Sequence, residues 1–434
     1  YYIFIYYFTG PIMFLYKNLS FTQKMLVSML AGAILGIILN NIDIYHSIIN
    51  QYLSNGIFDV IGKLFVNSLK MLVVPLVFCS ITIGITSLGD LALMGRIGIK
   101  AIFIYLITTA IAISLALLLS IVINPGQGFE INESVSYTAK EAPSLSSVIT
   151  SIVPSNPILA MAEGKMLQII LFAIILGIAI IITGRNAEPF KKGLQSLNDI
   201  MMSMVIIIMK FAPIGVFFLI AKTFSSQGVS MIVPLASYFI TVTLALLLHV
   251  LLTYTFFLKF VGKVSPINFF KKIRTAVVFA FSTASSNATI PVTLNTVVKR
   301  LGVDKAIASF TVPLGATINM DGTAIMQGVA TVFIATVYAV DLSMGDYLAV
   351  ILTATLASIG TAGVPGVGLI MLAMVLTQVG LPVEGVALII GIDRLLDMMR
   401  TSVNITGDSM VSVIVSKSEN SFDTAVFKDP KAGV

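Results

Sequence analysis

The sequence predicts an all-α polytopic membrane protein with eight transmembrane helices and two re-entrant helical hairpins. Three observations carry this expectation. The first is composition: of 434 residues, 57% are hydrophobic and only 11% charged, and the mean hydropathy is +1.01. So few charges cannot cover the surface of a soluble domain. The second is that apolar residues fall in runs of about 20, the length of a bilayer-crossing helix, rather than in the ten-residue alternations of a barrel. The third is that two apolar segments are broken near their middles by small residues, polar residues and proline.

The same numbers exclude several function classes. The single cysteine, Cys79, has no intrachain partner, and two histidines, His46 and His249, are too few and too far apart for a zinc site. The net charge of +6 comes from Lys and Arg in short blocks between apolar runs, the pattern of membrane topology rather than of nucleic-acid binding. The aromatic run at residues 1–7 lacks a basic leader and a cleavage site, so it reads as an N-terminal anchor and not as a signal peptide.

Taken in order, spans are expected at about 23–41, 57–85, 97–123, 150–184, 195–222, 230–258, 304–340 and 386–416. The segments at 266–299 and 345–380 are the broken ones. The first is interrupted by Ser285-Ser286-Asn287-Ala288-Thr289-Ile290-Pro291, the second by Gly360-Thr361-Ala362-Gly363-Val364-Pro365. Glycine and proline open helical hydrogen bonds, which lipid tolerates only inside protein or beside water. Both therefore read as re-entrant hairpins with mid-membrane tips; two kinked ordinary helices are the alternative. The tips resemble each other and enter from opposite sides, the arrangement of an inverted repeat.

Basic residues orient the spans. Lys17 and Lys24, Arg96 and Lys100, Arg185, Lys191 and Lys192, then the Lys259–Arg274 and Lys299–Lys305 groups and Lys417 share one side. Asp43, Glu130, Glu133, Glu141, Asp341, Asp346 and Glu384 populate the other, with Lys140. That bias puts both termini in the cytoplasm.

Five charges lie inside the last span: Asp393, Arg394, Asp397, Arg400 and Asp408. Each costs roughly 2.5–3.5 kcal/mol at a helix centre on insertion scales, so such groups mark ion or substrate paths. Asp393, Asp397, Arg400 with Thr401, Asn404 and Asp408 recur every three or four residues and share a face. A guanidinium forks onto a carboxylate, so Arg400 points to an acidic substrate. In the seventh span, Asp321 beside Asn319, Gly315, Thr317 and Thr323 has the oxygen-rich chemistry of a hard-cation site. Tyr105, Thr108 and Thr109 cluster three hydroxyls in the third span. His249 reads as a packing histidine, with a proton relay as the alternative.

Together, Asn319-Met320-Asp321-Gly322-Thr323, the Ser/Thr-rich first tip, Gly363-Val364-Pro365-Gly366 and the Asp397…Arg400-Thr401…Asn404…Asp408 series resemble the dicarboxylate/amino acid:cation symporter family, the glutamate/aspartate transporter homologues. The resemblance implies a homotrimeric elevator-type transporter in the cell (inner) membrane, with no cofactor beyond sodium as coupling ion. It implies scaffold helices in 1–85 and 125–227, a moving domain made of 86–124 and 228–418, and a cytoplasmic tail at 419–434. Carried over by position, Arg400 with Thr323 would hold the substrate's side-chain carboxylate and Asp397 its amine. Asn404 and the Ser286 backbone would take the α-carboxylate, Val364 and Gly368 would add backbone contacts, and Thr401 belongs to the same face. For sodium, one site would use Asp408 with Gly315, Asn319 and Asn404. A second would use Tyr105, Thr108, Thr109, Asn319 and Asp321, and a third Thr317, Ser358, Ile359 and Thr361.

One departure stands out. Relatives carry an arginine at the first tip or just after the substrate aspartate, where this chain has Ala284 and Met398; Arg394, one turn before Asp397, is the candidate replacement. A cation channel and an intramembrane aspartyl protease are rival classes, but neither accounts for both paired hairpins and the Arg-Asn-Asp face. The closer rival is a proton-coupled glutamate or C4-dicarboxylate symporter. Asp397 favours an amino acid, and the full oxygen set favours sodium.

Overall fold

A computed structural model describes residues 19, 21–41, 49–86, 92–128, 153–359, 363 and 365–433. Residues 1–7, Lys17, Asp43, the acidic stretch from Glu130 to Glu141 and, at the second tip, Thr361 and Val364 lie outside them. Every regular element among the described residues is helical.

The first span is α1 (Phe21–Asn40), and the second is α2 (Asp59–Thr86), entered through a wide π-turn at Ile49–Phe58. The third is α3 (Ala92–Ile123). The fourth divides into α4 (Pro157–Ala162), capped by Asn156 and started by proline, and α5 (Met166–Thr183). The fifth is longer than its apolar run suggests. It comprises α6 (Glu188–Lys210) and α7 (Ala212–Gln227), broken at Phe211 because Pro213 lacks the N–H that would continue the ladder. The sixth, α8 (Ile232–Leu248), continues through π-turns at His249–Tyr254 and Phe257–Val261.

Both broken segments are helix pairs. In α9 (Pro266–Thr283), Ser265 caps the start and Ala284 ends the helix in the left-handed region at φ 48°. The next residue, Ser285, caps α10 (Ser286–Lys299) by accepting from the Ala288 N–H. The second pair is α13 (Met344–Ser358), opened by a Ser343–Asp346 capping box, and α14 (Val367–Gln378), entered at Gly366 with φ 85°. Between the pairs lie α11 (Lys305–Ile318) and α12 (Asp321–Val337), separated by Asn319 and Met320 in non-helical conformations. After them, α15 (Val386–Ser418) runs 33 residues without a break, and a short α16 (Thr424–Lys428) follows.

Among the described residues, five helical stretches are long and apolar enough to cross a membrane, including Arg96–Ile123 and Lys305–Val337. Leu30, Ile34, Phe103, Leu118 and Ile182 stand exposed on α1, α3 and α5, an outward apolar face that suits lipid and not water. This is a multi-pass membrane protein. Two packing groups stand out: α1, α2 and α5–α7 pack on one another, whereas α3, α8–α12 and α14 gather around α15, with α12 buried at the centre and α13 against α3, α12 and α14. Contacts of α7 with α15 and of α2 with α14 join the groups.

Candidate functional site

Four of the charges of α15 form a compact quartet. The Arg400 side chain is 1% exposed; its Nη2 donates to Asp397 Oδ1 at 2.9 Å, and its Nη1 lies 3.0 Å from Asp393 Oδ1. Arg394 Nη1 stands 3.6 Å from Asp397 Oδ2. The i, i+3 and i, i+7 spacing on one helix produces this alternation, so two buried aspartates and two arginines cancel in formal charge. The backbone of α14 closes over the quartet. Gly366 N–H donates to Asp397 Oδ2 at 3.3 Å, and a Cβ on Gly368 would come within 3.2 Å of the Arg400 guanidinium. Arg400 Nε has no hydrogen-bond partner among the described residues, leaving the fork with donor capacity. Arg394 thus lies beside Asp397, as its spacing predicts.

The break between α11 and α12 builds a second centre. Asn319 Nδ2 donates to Asp408 Oδ1 at 2.8 Å and to the Asn404 carbonyl at 2.9 Å. Asp408 Oδ2 and Asn319 Oδ1 are buried with no hydrogen-bond partner among the described residues. Gly315 is required here, since a Cβ would meet Asp408 Oδ1 at 2.4 Å and the Tyr105 hydroxyl at 2.7 Å. Tyr105 donates to the Thr311 carbonyl. The Gly315 carbonyl accepts from Asn319 N–H, the last helical bond before the break. Asn404 Oδ1 accepts from Gly322 N–H at 2.8 Å, anchoring α15 to the start of α12. Buried oxygens without hydrogen bonds at an unwound turn suit a small hard cation. Among the described residues no cluster of three His, Cys or carboxylate groups is arranged for a metal.

Asp321 forms a third centre. Thr109 donates to Oδ1 at 2.6 Å, Tyr254 donates to Oδ2 at 2.8 Å, and His249 Nε2 lies 3.1 Å from Oδ2. All four side chains are buried. Tyr254 went unnoticed in the sequence, and His249 read as packing. The π-turn at His249–Tyr254 widens the helix and brings both rings to the same carboxylate. A lone histidine 72 residues from its partner leaves no spacing signal.

The two broken segments touch at their tips. Ser285 Oγ donates to the Gly363 carbonyl at 2.7 Å, and Asn287 N–H donates to it at 3.1 Å. A Cβ on Gly363 would collide with the Ala316 carbonyl and the Ser286 Cβ, so Ser286 lies at this junction. Several expected ligands bond their own helices. Thr108 donates to the Tyr105 carbonyl, Thr317 to Leu314, Thr401 to Asp397 and Ser358 to Thr355. Ile359 N–H donates to the Leu356 carbonyl. Thr323 is buried, with its hydroxyl 3.9 Å from the Met320 sulfur.

Comparison with known proteins places the chain among transporters. The model of the sodium:dicarboxylate symporter family matches residues 21–418. The proton/glutamate-aspartate symporter of Escherichia coli (strain K12) is 34% identical over 421 residues, covering 94% of this chain and 95% of its own length. The proton/sodium-glutamate symport protein of Bacillus caldotenax is 37% identical over 404 residues, with 90% and 94% covered. The C4-dicarboxylate transport protein of Bacillus subtilis (strain 168) is 32% identical over 419 residues, with 95% and 96% covered.

Proposed function

The chain belongs to the sodium:dicarboxylate symporter family, a family of transporters and not enzymes, and we propose that it couples entry of an acidic amino acid, aspartate or glutamate, to sodium. The observation that carries the sodium reading is the pair of buried oxygens, Asp408 Oδ2 and Asn319 Oδ1, that no hydrogen bond satisfies. An uncompensated buried carboxylate is costly; a cation there removes the cost. The substrate reading rests on Arg400, whose fork suits a carboxylate, and on Asp397, which suits an amine. A substrate with both groups can take the place of the internal Asp397–Arg400 pairing without leaving a charge unpaired.

Coupling follows if ions and substrate each bind best when the other is present. Asn404 supports such linkage, because its carbonyl accepts from Asn319 while its side chain holds Gly322 N–H, one turn from Arg400. The reading includes eight spans, two re-entrant hairpins, a homotrimer and an elevator movement of 86–124 with 228–418 against 1–85 with 125–227. The separate packing of α1, α2 and α5–α7 supports that division.

A second reading, proton coupling, is favoured by one contact, that of His249 with Asp321. Uptake of radiolabelled aspartate into proteoliposomes, with sodium and proton gradients imposed separately, decides between the two. Accumulation driven by a sodium gradient at equal pH on both sides is expected; accumulation driven by pH alone overturns the sodium assignment.

A further inference from the structure

The residues after α15 do not trail away from the bundle. Lys272, buried on α9, donates its ammonium to the Arg300 carbonyl at the end of α10 (2.7 Å) and to the Val426 carbonyl in α16 (2.6 Å). One side chain thus ties both arms of the first helix pair to the C-terminal segment. Phe427, on α16, is 4% exposed, with its ring under the same ammonium at 5.8 Å and beside Phe422 at 5.5 Å. Asp423 N–H donates to the Gly302 carbonyl at 2.8 Å, and Asp423 caps α16. Gly302, at φ 77°, passes so close that a Cβ would lie 2.3 Å from the Asp423 carbonyl oxygen. Farther along, a Cβ on Gly433 would meet Arg300 at 2.7 Å. At the near end, Glu419 pairs with Arg96 and Lys100 at the start of α3.

We infer that residues 419–433 are a strap that locks the base of the α9–α10 pair to α3 and α15, making that pair a fixed wall of the transport domain. Buried apolar contact, a desolvated cation with two carbonyl acceptors and a glycine chosen for close approach are features of a folded joint. A loose tail needs none of them. The place of that pair in a transport domain rests on the transport reading above; the existence of the joint does not.

A reporter thiol tests it. Thr293, fully buried on α10, is changed to cysteine in a Cys79→Ala background of the full-length protein. Its modification by a small maleimide is timed with and without Lys272→Met, Phe427→Ala or Asp423→Ala. Release of the base is expected to speed labelling by about tenfold or more, as local opening governs access to buried sites. Unchanged labelling, within about twofold, in all variants that stay monodisperse overturns the strap. Removal of residues 422–434 provides a further variant should Lys272→Met not fold. Aspartate uptake by the parent protein is measured in parallel. A parent that labels as expected but does not transport defeats the functional reading alone. A parent that transports, with labelling indifferent to all variants, defeats the strap alone.

Discussion

Asn319 holds Asp408: the amide at the break between α11 and α12 donates to the carboxylate of α15 at 2.8 Å, and one oxygen of each residue has no hydrogen-bond partner among the described residues. The bond joins an unwound turn to an unbroken helix. Asp408→Asn keeps the shape and removes the charge. Sodium is therefore expected to stabilise the parent against heat and to lose that effect in Asp408→Asn, with apparent sodium affinity falling roughly tenfold to a hundredfold, the scale of a charge-assisted contact. Without sodium the variant should unfold at an equal or higher temperature, since a buried charge has gone. Thermal unfolding with and without sodium checks both signs.

Arg400 is the group whose loss should be most severe. Arg400→Ala leaves Asp393 and Asp397 buried without their principal cation, a defect of roughly 3–5 kcal/mol in stability. Arg400→Lys keeps the charge but not the fork, and is expected to fold while binding aspartate about tenfold to a hundredfold more weakly. Asp397→Asn should shift preference toward dicarboxylates without an amine. Competition of labelled aspartate uptake by unlabelled aspartate and succinate measures the shift, and an unchanged ratio argues against Asp397 as the amine partner.

Much of this site was legible because charge is rare in an apolar chain. The Asp393–Asp408 series stands out by composition alone, and its spacing of three and four fixes a shared face, which the quartet around Arg400 realises. The break at Ser285 was also legible, because a capping serine among small and polar residues announces it. What eluded the sequence is long-range or backbone-specific. His249 and Tyr254 reach Asp321 only through a π-turn that no residue type signals. The fifth span begins earlier than its apolar run because the polar first turns of α6 still form a helix. The docking of α16 through Lys272 depends on backbone carbonyls, which every residue carries alike.

His249 separates the two coupling schemes. His249→Gln retains a donor toward Asp321 but cannot carry a titratable proton. With sodium as the coupling ion, uptake driven by a sodium gradient should persist within about an order of magnitude, because the Thr109 and Tyr254 bonds to Asp321 remain and one hydrogen bond is worth about 1 kcal/mol. Abolished uptake in a variant that still binds aspartate argues for a proton at this carboxylate.

Glu419 gives a pH dependence outside the membrane. Hydrogen bonds from Lys100 and Arg96 hold its carboxyl below the ordinary glutamate range. A carboxylate whose pKa is lower folded than unfolded stabilises the fold fully above its unfolded value, about 4.3, and loses that contribution as pH falls through the lowered value. Glu419→Gln should therefore lower the unfolding temperature at pH 7 and bring the two proteins together in acid. A difference that persists undiminished below that window would assign the effect to packing instead of charge.

Gly315 tests the proposed cation centre by shape alone. Alanine favours a helix over glycine by about 1 kcal/mol, so Gly315→Ala should not unfold α11. Its methyl would instead occupy the space shared by Asp408 Oδ1 and the Tyr105 hydroxyl, at 2.4 and 2.7 Å. Either carboxylate or phenol must then move, and the oxygens around Asn319 no longer converge. The expected outcome is a folded protein whose unfolding temperature no longer responds to sodium and whose sodium-driven uptake is largely lost. Gly193→Ala, on α6 with no neighbour within 4 Å of the new methyl, is the control that should behave as the parent. If Gly315→Ala still gains the parent's full stabilisation from sodium, the ion binds somewhere other than between Asp408 and Asn319.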